Sequence, residues 1–208
     1  MPHPPRAIVL TFDRLSRRCL SFYGHEWIEA PNLERLAARS VVFDQHFAAE
    51  SDSLTLHDDS AASWGCLCES GVIVRKFVEE PSSDSQNSND GDSADLESSP
   101  LARLITQAEE ALSELATSPD ASWLLSLQSA GIAWPCVATE EFAALYADEF
   151  EGEQAEFADE IKLAEIAYAA CVTQLDHLVG RLLATLDRLF PGERPLLLVG
   201  ALAGGSVG

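Results

Sequence analysis

Residues 6–13 read RAIVLTFD, and this stretch decides the fold. A short apolar run of this kind is typical of a buried strand in a parallel sheet. Asp13 directly follows the run, so it lies at the carboxyl end of the predicted strand. Ligands of open α/β sheets bind at that end of the strands. Asp13 is therefore the first candidate functional residue, although a carboxylate in this position also caps the turn that follows it.

The rest of the chain alternates strand-like and helix-like patterns. Helices are predicted where apolar residues recur with helical spacing: 31–38, 100–117 and 154–189. Further strands are predicted at the short apolar runs 41–43, 123–127 and 195–199. This alternation predicts an α/β layered fold with a mainly parallel sheet flanked by helices. A length of 208 residues suits a single domain, 1–208.

The formal net charge of −21 is unevenly distributed, because two segments hold acidic residues and no Lys or Arg. Segment 79–100 is rich in Ser, Asp and Asn, and we predict a disordered insert within the domain. Segment 139–160 keeps spaced apolar residues and is expected to be a folded acidic surface stretch. Outside these segments the chain is close to neutral.

Composition also bears on partners and compartment. An acidic chain lacks the basic footprint of a nucleic-acid binder and does not favour anionic lipid surfaces. Residues 1–6 show no apolar signal region and no long apolar run follows, so we expect no membrane span and a cytoplasmic location. Five cysteines are too few and odd in number for a disulfide framework, which agrees with a reducing compartment.

Three blocks of the sequence resemble the sulfatases of the alkaline phosphatase superfamily. The first combines IVLTFDRLSRRCLSFYG at 8–24 with APNLERLAARSVVFDQHFAAE at 30–50. The second, WLLSLQSAGIAWPCVATEEFAALY, covers 123–146, and the third covers 168–208 and contains LDHLVGRLLATLDRL. The blocks occur in the family's order and together cover a little over half of the chain. The resemblance implies the N-terminal α/β domain of that family in truncated, degenerate form.

The resemblance also implies a mechanism that needs specific groups. Sulfatases hold a divalent cation, Ca²⁺ or Mg²⁺, with several hard oxygen ligands. The cation polarises the sulfate, and the nucleophile is a formylglycine made from Cys or Ser. His and Lys side chains bind the sulfate and protonate the leaving group.

Transferred position by position, the first metal ligand falls on Asp13 and the next family position on Arg14. A cation beside the site opposes metal binding electrostatically. The nucleophile position falls on Ser53 by ungapped count, and a shift of two residues would instead place Thr55 there. The family's motif Arg is replaced by His57.

The remaining family positions also lack the imidazole and carboxylate groups that the mechanism needs. Two active-site His positions become Gln128 and Ala133, and the Asp-His metal pair becomes Leu202 and Ala203. We therefore expect a sulfatase-like pseudoenzyme with a binding or interaction role and no cofactor. The alternative is an active metal-dependent sulfuric ester hydrolase that keeps part of the Ca²⁺ or Mg²⁺ site through Asp13.

In the family, the sheet and a smaller domain continue after the strand that corresponds to 195–199. The sequence here ends at Gly208, so we expect an open apolar sheet edge or face. Such a surface favours self-association or a protein partner.

Three further features have mainly structural interpretations. Cys66 and Cys68 form a C-x-C pair, which is a weak indication of a soft-metal or redox site. Asp176 matches a family helix position where a buried structural hydrogen bond is expected. His177 points about 100° away from it around the helix, towards the surface.

Overall fold

A four-stranded, entirely parallel sheet forms the centre of the protein. The computed structural model describes residues 4–45, 66–80, 95–132, 136–147 and 156–202, and only the backbone for 156–161. The strands are β1 (Arg6–Phe12), β2 (Ile73–Val78), β3 (Trp123–Ser129) and β4 (Leu196–Ala201). Their order is β2-β3-β1-β4, and each neighbouring pair is parallel. The predicted α/β class with a mainly parallel sheet is confirmed.

The helices whose bounds lie within the described residues are α1 (Pro31–Ala37), α2 (Pro100–Ala116), α3 (Glu140–Ala144) and α4 (Glu156–Leu189), and a single helical turn lies at 66–69. Pro occupies an early position in α1 and α2, where its missing N–H costs no helical hydrogen bond. The Ser99 side chain caps α2 by accepting a hydrogen bond from the Ala102 N–H at 3.2 Å. No helix in the described residues is long and apolar enough to cross a bilayer.

One face of the sheet is covered by helices. The register aligns Ile8 with Leu125 and Leu10 with Leu127, so these fully buried side chains share that face. On the same face, Arg75 of β2 pairs with Glu114 of α2 at 2.6 Å. The ring of Trp123 in β3 lies 5.7 Å from that of Phe190, just after α4. The core therefore lies between this face and helices α2 and α4.

The opposite face is only partly covered. Leu196 and Leu198 of β4 alternate onto it and are 69% and 44% exposed, and Val78 of β2 is 40% exposed. We call the surface that Leu196 and Leu198 form on β4 the open face. Thr11 and Ser126 in the two central strands are buried on this side of the sheet. The exposed apolar residues therefore belong to the two outer strands.

The structure differs from the sequence prediction at two strands. Residues 41–43 form no strand, and Val41 and Phe43 are 79% and 74% exposed. A run of β-branched residues without a neighbouring strand has no hydrogen-bond partners for its backbone. Strand β2 was missed, although Val72 to Val78 contains the β-branched and aromatic residues expected of a strand.

Segment 79–100 is described only at its ends. Glu79 extends strand pairing by donating its N–H to the Gln128 carbonyl at 2.8 Å. Leu96–Ser98 forms a 3₁₀ turn that leads into α2. Residues 81–94 lie outside the described residues, so the predicted disorder of the insert stays a prediction there.

Candidate functional site

The carboxyl ends of the four strands meet at one edge of the sheet, because all of them are parallel. Asp13, Glu79, Ala130 and Leu202 directly follow β1, β2, β3 and β4. Phe12 is in register with both Ser129 and Ala201, so the carboxyl ends of β1, β3 and β4 lie at the same height in the sheet. This carboxyl edge is the candidate functional site that Asp13 predicted.

The backbone of Asp13 is tied to the end of β3. Its N–H donates to the Ser129 carbonyl at 3.1 Å, and its carbonyl accepts from the Ile132 N–H at 3.3 Å. Gly131 has a φ of +68°, and a Cβ there would lie 1.5 Å from the Asp13 carbonyl oxygen. Only glycine allows this backbone approach, so the turn after β3 and the loop after β1 form one unit.

The residue after Asp13 adopts a conformation that few side chains favour. Arg14 has a φ of +59°, in the left-handed region. Tyr168 of α4 supports this conformation: its hydroxyl donates to the Arg14 carbonyl at 3.0 Å and accepts from the Ser16 N–H at 2.8 Å. Burial raises the pKa of Tyr168 to about 12, so the hydroxyl keeps its proton at neutral pH.

The Asp13 carboxylate lies beside a cation of its own chain. The Arg14 Nε is 3.8 Å from Asp13 Oδ2, and both side chains are about half exposed. A guanidinium at this distance competes with a metal ion for the carboxylate. Asp13 is thus present at the carboxyl edge, but in an ion pair with the residue that follows it.

A second carboxylate at this edge was not singled out from the sequence. Glu79 accepts hydrogen bonds from the Ser129 hydroxyl at 2.5 Å and the Ala130 N–H at 3.1 Å. Burial raises its pKa, and these two hydrogen bonds oppose the shift. Glu79 thus holds the turn after β3. Its position directly after a segment rich in β-branched and aromatic residues, 72–78, is the signal that would have identified it.

The other predicted site positions are only partly described. Gln128 is the last residue but one of β3, near the carboxyl edge, and Leu202 donates its backbone N–H to the Phe12 carbonyl at 2.8 Å. Ser53, Thr55 and His57 lie outside the described residues, as do Ala133 and Ala203. The structure therefore says nothing about the nucleophile position.

The described donors do not fit a hard divalent cation. Such an ion requires about six oxygen ligands. Asp13 supplies one carboxylate next to a guanidinium, and the Glu79 carboxylate is already bonded to Ser129. Within the described ranges, no three His, Cys, Asp or Glu side chains form a group able to hold a metal.

Asp176 on α4 has the structural role that the sequence predicted. It is buried and accepts hydrogen bonds from the Asn32 N–H at 3.1 Å, the Asn32 side-chain amide at 2.8 Å and the Leu33 N–H at 2.7 Å. These donors form the first turn of α1, whose N–H groups have no partner within the helix. His177 is exposed, as predicted, with its ring 5.6 Å from that of Phe142.

The cysteines of the C-x-C pair are exposed free thiols at one helical turn, 66–69. They belong to no metal-binding group among the described residues. The predicted weak soft-metal site gains no ligand from the described structure.

No known family profile and no curated protein matches this sequence. Solved structures do match. The protein yidJ of Bacteroides fragilis, named as a sulfatase, superposes with a TM-score of 0.71 at 12% identity, over 98% of this chain and 63% of that one. The fold is that of the sulfatases.

Two further solved structures match over nearly the whole of this chain. One was solved in complex with its substrate D-glucosamine-2-N,6-O-disulfate; it matches with a TM-score of 0.68 at 12% identity, over 98% of this chain and 66% of that one. The other is the C-terminal periplasmic domain of EcEptC from Escherichia coli, with a TM-score of 0.64 at 14% identity over 99% and 65%. The chain thus spans about two thirds of the length of these sulfatase-like structures. Identities this low show the shared fold alone.

Proposed function

We propose that this chain is a sulfatase-like domain that does not hydrolyse sulfate esters and serves as an interaction module. The ion pair between Asp13 and Arg14 carries the proposal. A metal ion at Asp13 would have to displace this guanidinium and would gain a single carboxylate in return. The side chains of Gln128 and Leu202, at the family's His and Asp positions, supply neither an imidazole nor a carboxylate.

A calorimetric titration tests the metal part of the proposal. Ca²⁺, Mg²⁺ and Mn²⁺ are titrated into the native chain and into Asp13→Ala, with Asp120→Ala as an exposed-carboxylate control. We expect identical, weak and non-saturating heats for all three proteins. Saturable binding by the native chain and Asp120→Ala that disappears in Asp13→Ala would contradict the proposal.

The alternative function is a working metal-dependent sulfuric ester hydrolase. The observation that favours it is the exposed Asp13 carboxylate at the carboxyl edge of a sulfatase fold. In this case Asp13 is a metal ligand and Ser53 or Thr55 is the nucleophile. Activity towards an aryl sulfate or an aryl phosphate with added Ca²⁺, Mg²⁺ or Mn²⁺ would support it, provided Asp13→Ala removes the activity.

The interaction role is assigned to the open face, with a second copy of this chain as the partner. Leu196 and Leu198 expose apolar side chains on β4. Within the described part of the chain, β4 pairs only with β1, so its other edge offers free backbone groups. An exposed apolar edge strand is a template for pairing with another strand. Two copies joined along β4 would cover both features at once.

Sedimentation velocity over a range of concentrations tests this association. We expect a concentration-dependent dimer for the native chain and a monomer for the double variant Leu196→Ser, Leu198→Ser. Leu145→Ser removes an exposed leucine that lies outside the sheet, at the end of α3, and should leave the dimer unchanged. A native chain that stays monomeric at the highest concentration would contradict the assignment.

The cytoplasm is the compartment we propose for this domain. Its five cysteines are free, and three of them are half-buried, which agrees with a reducing environment. Fractionation of cells that express the tagged full chain tests this, and recovery in the periplasmic or secreted fraction would contradict it.

A further inference from the structure

Two half-buried thiols face each other behind the loop that carries Asp13. Cys136 lies in the segment that leads to α3, and Cys171 lies on α4. Their side chains are hydrogen-bonded to each other, and both pack against the hydrophobic core. Both residues are partly exposed to solvent.

A second contact fixes the segment 136–139 along α4. The Thr139 N–H donates to the Gln174 side-chain carbonyl at 2.8 Å. Thr139 and Gln174 each lie three residues after one of the two cysteines, so this hydrogen bond anchors the segment to α4 close to the pair. Packing of both cysteines against the same core provides the second constraint.

The two thiols have different chemical environments. The Cys171 thiol donates its hydrogen bond to the Cys136 sulfur, which lowers the pKa of Cys136 to about 7. The same hydrogen bond, together with burial, raises the pKa of Cys171. Cys136 thus has the character of the attacking thiolate in thiol–disulfide exchange, and Cys171 has that of the resolving thiol.

Two neighbours complete the surroundings of the pair. Cys19, Cys136 and Cys171 each contribute electrostatically to the raised pKa of the Tyr168 hydroxyl, after burial, which is the main cause. Burial raises the pKa of the Cys19 thiol, which also bonds to Ser16 and lies near Glu165. Cys19 is therefore less reactive than Cys136 at neutral pH.

We infer that Cys136 and Cys171 form a redox-sensitive dithiol, which a small disulfide such as oxidised glutathione converts to an intramolecular disulfide between the 136–139 segment and α4. The Cys136 thiolate attacks one sulfur of glutathione disulfide, and one glutathione leaves as its thiolate. The Cys171 sulfur, having lost its proton, then attacks the Cys136 sulfur and releases the second glutathione. Two electrons pass from the protein thiols to one glutathione disulfide, and the two thiol protons end on two glutathione molecules.

The disulfide would restrain the loop at the carboxyl edge. It closes a loop of 36 residues, 136 to 171 inclusive. The unfolded chain loses entropy on such closure, and we expect the melting temperature to rise by about 5–10 °C. Tyr168 lies beside the pair and bonds to Arg14 and Ser16, so the restraint reaches the Asp13 loop. This inference does not depend on whether the chain hydrolyses sulfate esters or dimerises.

Peptide mapping of the full chain tests the inference. The reduced protein is incubated with glutathione disulfide at pH 7, alkylated without reduction, digested and analysed by mass spectrometry. We expect a peptide pair linked through Cys136 and Cys171, and a melting temperature that returns to the reduced value with dithiothreitol. In the untreated protein, iodoacetamide should label Cys136 faster than Cys19, with a pH midpoint near 7.

Matched variants separate this pair from the other thiols. Cys136→Ser and Cys171→Ala should each abolish the linked peptide and the thermal shift. Cys19→Ser and the double variant Cys66→Ser, Cys68→Ser should retain both. A dominant link that involves Cys19, Cys66 or Cys68, or only mixed glutathione adducts on the wild-type chain, would overturn the inference without touching the proposed function.

Discussion

Two aspartates of the molecule, Asp176 and Asp13, lie in blocks that resemble the sulfatases and differ in their surroundings. Asp176 is buried and accepts three hydrogen bonds from the first turn of α1. Asp13 is about half exposed and forms an ion pair with Arg14. The carboxylate that supports the fold has kept its hydrogen-bond donors, whereas the carboxylate at the chemical position lies beside a cation. The contrast agrees with the proposal that this chain has a sulfatase-like fold without the sulfatase metal site.

Replacing Asp176 should give the largest effect. Asp176→Ala leaves the Asn32 and Leu33 N–H groups without an acceptor in a buried place, and we expect a loss of about 2–4 kcal/mol in unfolding free energy. Chemical denaturation measures this loss. Asp120→Ala removes an exposed aspartate and should change stability by less than about 0.5 kcal/mol. Equal effects of the two variants would refute the structural role of Asp176.

The backbone around Asp13 should be the next most sensitive feature. Gly131→Ala places a Cβ against the Asp13 carbonyl at a positive φ, and we expect a cost of about 2 kcal/mol. Gly192 also has a positive φ but no atom within 4 Å, so Gly192→Ala should cost about 1 kcal/mol. The difference between the two losses in unfolding free energy measures the effect of the close contact between residue 131 and the Asp13 carbonyl. A smaller loss for Gly131→Ala than for Gly192→Ala would show that the two loops are not joined as described.

The pH dependence of stability gives a smaller effect at Asp176. Burial raises its pKa in the folded protein, a shift that the Leu33 and Asn32 donors oppose. The folded state therefore binds a proton at Asp176 more readily than the unfolded state does. The stabilisation from this difference is full below the ordinary pKa of an aspartate and is lost as pH rises through the pKa of the folded state. The stability of the native chain relative to Asp176→Asn should accordingly increase on acidification. A relative stability that falls on acidification would contradict this linkage.

The side chain of Asp13 should give the smallest change in stability. Asp13→Ala removes only a half-exposed ion pair with Arg14, so the unfolding free energy should change by less than about 1 kcal/mol. Thermal denaturation of Asp13→Ala and Arg14→Ala measures this. A loss as large as that of Asp176→Ala would mean that Asp13 has a structural role of its own.

The elements with the strongest patterns were predictable from sequence. The apolar run of β1 and the long helical periodicity of α2 and α4 identified the sheet and its main covering helices. The role of Asp176 followed from a family position on a helix. These patterns are readable in the sequence because one face of each strand or helix has to be buried against the core.

The errors in the sequence prediction have one physical cause: the structure of these segments depends on contacts with other elements of the chain. Val41 and Phe43 are apolar, but no described strand pairs with them, so the predicted strand did not form. Strand β2 was missed because Arg75 and Lys76 interrupt its apolar pattern. Arg75 is accommodated by an ion pair with Glu114 of α2, which sequence spacing alone does not reveal. Glu79 was assigned to the acidic insert for the same reason, since its bond to Ser129 depends on the sheet order.

Hydrolysis of an aryl sulfate in the presence of Ca²⁺, compared between the native chain and Asp13→Ala, tests the central claim most directly. We expect both proteins to release product at the rate of the uncatalysed control. Turnover by the native chain that Asp13→Ala abolishes would contradict it and establish Asp13 as part of a working site.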